Sequence, residues 1–217
     1  MKLNTNSLVA NIIRIFVYAF LFFLIAKTIE GDMNEQSFKE NSGTEYFQEL
    51  LILIVALLSY FVAYTFKSFR YFFIGLGSFA AVSLVREMDA WLETHLFDKG
   101  WQFMALLILL PTMYLLIKNR KKFIKQFTKV SKTAYFKMLI LGGLVLHVFS
   151  RLYGRKVIWK SLLGEEDYRR VIKDASEESI ELLGYLMIFI ATAELTLYVY
   201  EKAKKTFKKK QHKLAKN

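Results

Sequence analysis

The sequence predicts an all-α fold, a polytopic integral membrane protein built as a bundle of six transmembrane helices. Three observations predict it. Of 217 residues 54% are hydrophobic, with 20 Phe, 12 Tyr and one Pro, against about 45–50% apolar residues in a soluble domain. The apolar residues form unbroken runs near the roughly 20 residues that carry a helix across the hydrocarbon, instead of recurring at amphipathic spacing. The polar stretches between the runs alternate in the sign of their charge.

Six spans follow, at about 8–27, 46–66, 70–88, 101–117, 134–151 and 179–200. The first has Lys2 and Arg14 ahead of the core IFVYAFLFFLIA; no small-x-small cleavage site follows, so it is expected to stay as an anchor. The second is the run LLILIVALLSYFVAY. In the third, Gly75, Gly77, Ser78 and Ala81 permit close helix approach, as do Gly142 and Gly143 in the fifth. Pro111 in the fourth lacks the N–H that would bond Leu107, which predicts a kink, one that neighbouring helices tolerate in a membrane. The sixth leads into a lysine-rich tail, 201–217, so the chain reads as one domain, 1–200, plus that tail. Two stretches outside the spans are amphipathic. One is KNRKKFIKQFTKVSK, with Phe123, Phe127 and Val130 on one face; the other is RLYGRKVIWKSLLG, with Trp159.

Charge sets the expected topology. The net charge is +12. Eight lysines lie in the last seventeen residues, and Lys118, Arg120, Lys121, Lys122, Lys125, Lys129 and Lys132 fill one loop without an acid. The loop 28–45 holds five acids and one base, the turn KSFR is basic, 89–100 is acidic and 152–178 is mixed. By the positive-inside rule both termini are cytoplasmic in a cell membrane, the inner membrane in a bacterium. The basic segments are expected to meet anionic lipid. Nucleic acid is not expected, since stacking aromatics are sparse there. With no cysteine in the chain, disulfides, thiolate metal sites and a cysteine nucleophile are excluded. Self-association is compatible with the sequence.

Between Ser83 and Trp101 the chain sets seven ionisable groups, Arg86, Glu87, Asp89, Glu93, His95, Asp98 and Lys99, at the end of an apolar run. Arg86, Asp89 and Glu93 fall on one helical stripe. His147, Arg151 and, if the helix continues, Arg155 form a second. Asp174, Glu178, Glu181 and Tyr185 form a third, with Glu177 beside it. All three stripes are predicted at the outer face, where charges near hydrocarbon need partners or water. Their convergence would make an outward-facing polar cavity. The plainer alternative is that Arg–carboxylate pairs fasten helix to helix. Deeper in the bilayer, Arg14 and Glu194 lie at matching depth from the cytoplasmic side. They are expected to pair as a structural bridge, because an isolated charge costs about 2.5–3.5 kcal/mol at a helix centre.

No metal ligand motif is present: there is no HExxH and no His pair at i, i+4, and the sequence names no cofactor. EEDYRR at 165–170 has the EExxxR spacing of CAAX-type intramembrane proteases, but the one later histidine is His212, in the lysine tail. SRLYGRK lacks the histidine of the lipid-phosphate phosphatase motif, and no GxSxG or phosphate loop occurs. The preferred expectation is a non-enzymatic protein binding or transporting a cation, a proton or a small charged solute. There the carboxylates hold positive charge, and Arg86 and Arg151 poise them. The rivals are a membrane-embedded hydrolase acting on a lipid or peptide, and an accessory or scaffold subunit of a membrane complex.

Overall fold

The structure, a computed structural model, describes residues 8–35, 42–95 and 99–214. Lys2, Asp98, Lys216 and the middle of the 28–45 loop lie outside the described residues. Every regular element among those described is helical: α1 (Leu8–Glu35), α2 (Gly43–Thr65), α3 (Arg70–Glu87), α4 (Asp89–His95), α5 (Gly100–Lys118) and α6 (Arg120–Ser131). Then come α7 (Ala134–Leu144), a π turn (Val145–Phe149), α8 (Ser150–Tyr153), α9 (Lys156–Asp167) and α10 (Arg170–Leu214).

Five stretches are long and apolar enough to cross a membrane: Leu8–Asn34, Gly43–Thr65, Gly100–Lys118, Ala134–Glu165 and Arg170–Phe207. The predicted third span, α3, is not among them. It begins on Arg70 and ends on Arg86 and Glu87, so only 71–85 is free of charge. That is roughly 22 Å at about 1.5 Å per residue, against a hydrocarbon core of about 30 Å. Large apolar side chains point outward along the spans, among them Ile15, Phe16, Leu110 and Tyr114. Soluble monomers rarely present such continuous apolar faces to water. The chain is compatible with a membrane-embedded protein.

Several helices outrun their predicted ends. α1 continues to Glu35 and α2 begins at Gly43. α10 starts at Arg170 and runs through the lysine-rich segment to Leu214. No Gly or Pro follows Gly184, and Ala, Lys and Glu are good helix formers, so nothing stops the helix where the apolar run ends. The expected separate tail is, through Leu214, the last part of α10.

The chain divides into two compact units, one from residues 1–51 and 138–190, the other from 52–137 and 191–217. In the first unit α1 shields Ala10, Arg14, Tyr18, Leu21, Ile25, Thr28 and Asp32, a stripe at three- and four-residue steps along one face. At its end the buried Asp32 carboxylate accepts hydrogen bonds from the amides of Gly43 (3.0 Å) and Thr44 (2.7 Å) and from the Thr44 hydroxyl. These amides open α2, whose first-turn N–H groups have no partner within the helix. Ser42 adds a bond to the Glu45 amide at 3.2 Å. SGTE at 42–45 thus has the S-x-x-E spacing of a helix start, which explains why α2 begins ahead of its apolar run.

Two glycines let α7 and the π turn lie against α10. A Cβ on Gly142 would lie 3.0 Å from Met187 Cβ and Ile188 Cγ1, and one on Gly184 only 2.8 Å from Leu146 Cβ. The predicted partner Gly143 has nothing within 4 Å. Gly184→Ala is therefore expected to destabilise by about 1–3 kcal/mol through overpacking. Gly143→Ala is expected to be neutral or to stabilise by up to about 1 kcal/mol through helix propensity. Thermal unfolding of the two variants in the same detergent checks this, and equal melting temperatures would contradict it.

In the second unit α3 packs along α5 and α6. Tyr60 of α2, Ser78 of α3 and Thr112 of α5 form a hydroxyl chain with steps of 3.0 and 2.8 Å. The Thr112 hydroxyl in turn donates a hydrogen bond to the Ile108 carbonyl at 2.8 Å, beside Pro111. Buried Gln126 on α6 accepts from the amides of Tyr71 (2.8 Å) and Phe72 (3.1 Å), capping α3 from outside. The predicted amphipathic face of α6 is seated on aromatics, with Phe127 against Phe72 and Phe136 and with Val130 fully buried.

Candidate functional site

Among the described residues, a buried charged cluster in the first unit is assembled by three backbone features. The π turn is the first. There the Ser150 amide donates to the Val145 carbonyl, five residues back, and the Ser150 hydroxyl sits 2.5 Å from the Leu146 carbonyl. Such single π turns often accompany functional sites. The hydroxyl has one proton, which the short contact assigns to Leu146, so its 3.4 Å approach to Glu181 Oε1 is the weaker one. Gly154 is the second feature: it ends α8, its amide bonding Ser150 at 2.8 Å. A Cβ there would fall 2.8 Å from Glu177 Oε2, so only glycine leaves room for that carboxylate. The third is Gly184, whose close approach brings α10 against this turn.

Arg151 reaches from α8 to two carboxylates one turn apart on α10. One guanidinium nitrogen bonds Glu177 Oε1, and the other lies 3.1 Å from Glu181 Oε1. The side chains of Glu177 and Glu181 are 9% and 4% exposed, while Arg151 is 54% exposed. Buried acid meets a base that still touches the outside. Lys173 takes the other oxygen of Glu177 at 2.7 Å and approaches Asp174 at 3.4 Å; Arg170 pairs with Asp174 at 3.4 Å. Gln48, nearly fully buried on α2, donates to the Glu178 carbonyl (3.1 Å) and to its side-chain Oε2 (3.0 Å). A core of Arg151, Lys173, Glu177 and Glu181 is thus balanced in formal charge and flanked by amide and hydroxyl groups.

Of the residues expected in the cavity, Arg151, Glu177 and Glu181 come together, with Glu178 beside them on Gln48. Tyr185 is 1% exposed, one turn further along α10. His147 lies in the π turn with its side chain exposed. Arg155 does not extend the stripe, because α8 stops at Gly154 and Arg155 is extended backbone. Arg86, Asp89 and Glu93 do not share one helix: α3 ends at Glu87, and α4 begins at Asp89 after the break at Met88. They belong to the second unit, where Arg86 pairs with its neighbour Glu87 at 2.7 Å. Arg14 is half-buried in the first unit and Glu194 buried in the second.

Four members of the cluster escape the sequence reading. Lys173 has a signal, its i, i+4 spacing to Glu177. Gln48, 130 residues from Glu178, has none. Ser150 and Gly154 act through a backbone bond and a lack of bulk, neither of which has a pattern in the sequence.

The opposite face of α10 lines a cavity of about 550 Å3, open to the outside, with Met33, Tyr153, Trp159, Ile172 and Ser179 among its walls. Trp159 stands edge-on to Tyr153 and bonds its carbonyl at 3.0 Å. The start of α10 is therefore two-faced, charged toward α8 and apolar toward this groove. Among the described residues no three His, Asp or Glu side chains converge as a metal-binding group. No protein-family model, curated protein or solved structure matches the chain.

Proposed function

We propose that the protein binds, or carries across a membrane, a cation, a proton or a small charged solute at the Arg151–Glu177–Glu181 cluster. One observation carries the reading: two buried carboxylates one turn apart share an arginine that is itself half exposed. If Arg151 swings away, two acids are left buried with too little countercharge, an arrangement that costs several kcal/mol unless another cation or protons take its place. An entering cation and the guanidinium thus compete for the same oxygens.

The reading includes a six-span topology with both termini in the cytoplasm. α3 serves as the third of the six spans. Its short apolar stretch is closed by Arg70, which donates to the Ala63 carbonyl at 3.2 Å, and by the Arg86–Glu87 pair, and a bilayer can thin around so short a span. The charge alternation of the loops supports this sidedness. The chain has no native cysteine, so single cysteines report topology cleanly. An impermeant reagent applied outside is expected to label position 40 and to miss position 125; the reverse pattern would invert the protein.

The functional test uses protein reconstituted in liposomes under gradients of H+, Na+, K+ or a divalent cation. Wild type is expected to dissipate at least one gradient, roughly tenfold faster than Glu181→Gln. A second reading, a scaffold subunit, draws support from Glu177, Glu178 and Glu181 all having partners within the protein. Under that reading Glu181→Gln changes the melting temperature alone, and wild type neither moves nor binds any of the ions. That result would sink the transport proposal.

A further inference from the structure

We propose that a basic groove in the second unit holds the phosphate of an anionic phospholipid headgroup. The groove has a volume of about 580 Å3 and is formed by the α2–α3 turn, by Lys129 of α6 and by the end of α10. It brings together Lys67, Lys129 and Lys202, three cations from three elements, and no acid is among its described lining residues. None of the three is paired with a carboxylate among the described residues.

Lys202 makes side-chain contacts to its neighbours Tyr198 and Phe69. Its ammonium donates to the Tyr198 hydroxyl at 2.7 Å and lies 5.0 Å from the Tyr198 ring and 5.8 Å from that of Phe69. These contacts hold the charge in place without neutralising it, and an ammonium has three protons to give. Phe69 in turn stands edge-on to Tyr198, and Phe66 edge-on to Tyr200. Holding the lysine still ahead of time lowers the entropy lost on binding.

The remaining lining decides between a lipid and a free anion. Phe66, Phe69, Ala203 and Phe207 supply apolar wall, and Phe207 is 64% exposed. A soluble phosphate has no use for that surface, whereas a headgroup brings its glycerol and first methylenes along with it. The groove also lies where α10 passes from buried Leu195 and Val199 to its lysine-rich end. On the topology proposed above that is the cytoplasmic interface, where basic pockets recognise anionic headgroups.

The test measures melting of the 217-residue chain in detergent micelles doped with phosphatidylglycerol or phosphatidylcholine, with inorganic phosphate as a third arm. Wild type is expected to be stabilised by phosphatidylglycerol beyond phosphatidylcholine. At about fivefold per lysine, Lys67→Gln with Lys129→Gln should weaken apparent affinity roughly 25-fold. Lys121→Gln with Lys125→Gln removes the same charge from α6 outside the groove and should leave affinity within about twofold. Equal weakening by both pairs would overturn the groove in favour of diffuse attraction. An equal response to inorganic phosphate would overturn the lipid as its source. Both readouts work whether or not the Glu181 cluster transports anything, so failure here is distinguishable from failure there.

Discussion

Arg151→Gln is expected to be the most damaging single substitution at the charged cluster. It removes the group shared by Glu177 and Glu181, both almost fully buried. Breaking a buried pair by deleting one partner typically costs about 3–5 kcal/mol, because the charge left behind stays uncompensated. Arg151 is 54% exposed, so water already meets part of its charge and the cost should fall to roughly 2–3 kcal/mol. Lys173→Gln should cost about 1 kcal/mol or less, since Glu177 keeps Arg151 and the lysine is a neighbour on the same helix. Adding Glu181→Gln to Arg151→Gln should restore part of the loss, and a double-mutant cycle in detergent measures the coupling. A cycle that closes additively would mean that the cluster is solvated and that its burial carries no energetic weight.

The other large effect is expected at Asp32, in the first unit. Its carboxylate satisfies two first-turn amides of α2 and the Thr44 hydroxyl while itself buried. Hydrogen bonds to such a charged acceptor are worth about 1.5–3 kcal/mol each but do not add in full. Asp32→Ala should therefore lower stability by roughly 3–4 kcal/mol. Asp32→Asn keeps one acceptor oxygen and should lose about half of that. The loss has a local signature. Hydrogen exchange at Gly43 to Gln48 should accelerate in Asp32→Ala, while the Gly142–Leu146 region, packed on α10 through glycines, keeps its protection. Uniform acceleration along the chain would show that Asp32 acts on the whole fold and not on the start of α2.

Helix as the only regular element among the described residues, and the approximate place of five apolar spans, were legible because both rest on runs of side chains that are neighbours in sequence. The charged start of α10 was legible for the same reason: Glu177, Glu178 and Glu181 repeat at helical spacing, and Arg151 stands alone at the end of an apolar run. Helix ends were read less well. Apolar runs mark where hydrocarbon would stop, whereas a helix begins at a cap, as at Ser42, and ends where its backbone turns away, as at Met88 and Gly154. The stripe through Arg86, Asp89 and Glu93 assumed one unbroken helix, and a single residue at Met88 divides it.

Which residues meet Arg151 is a matter of tertiary structure. The π turn places Ser150 and Arg151 toward α10, and the bulk missing at Gly154 and Gly184 sets how near the helices come. Gln48 reaches Glu178 from 130 residues away, and Gln126 caps α3 from another helix. Side-chain type and spacing record how apolar each segment is and which face of it is polar, a local property summed over one turn or one span. Capping from a distance and contacts permitted by a missing Cβ depend on which backbones lie side by side, and that is set only when the helices pack.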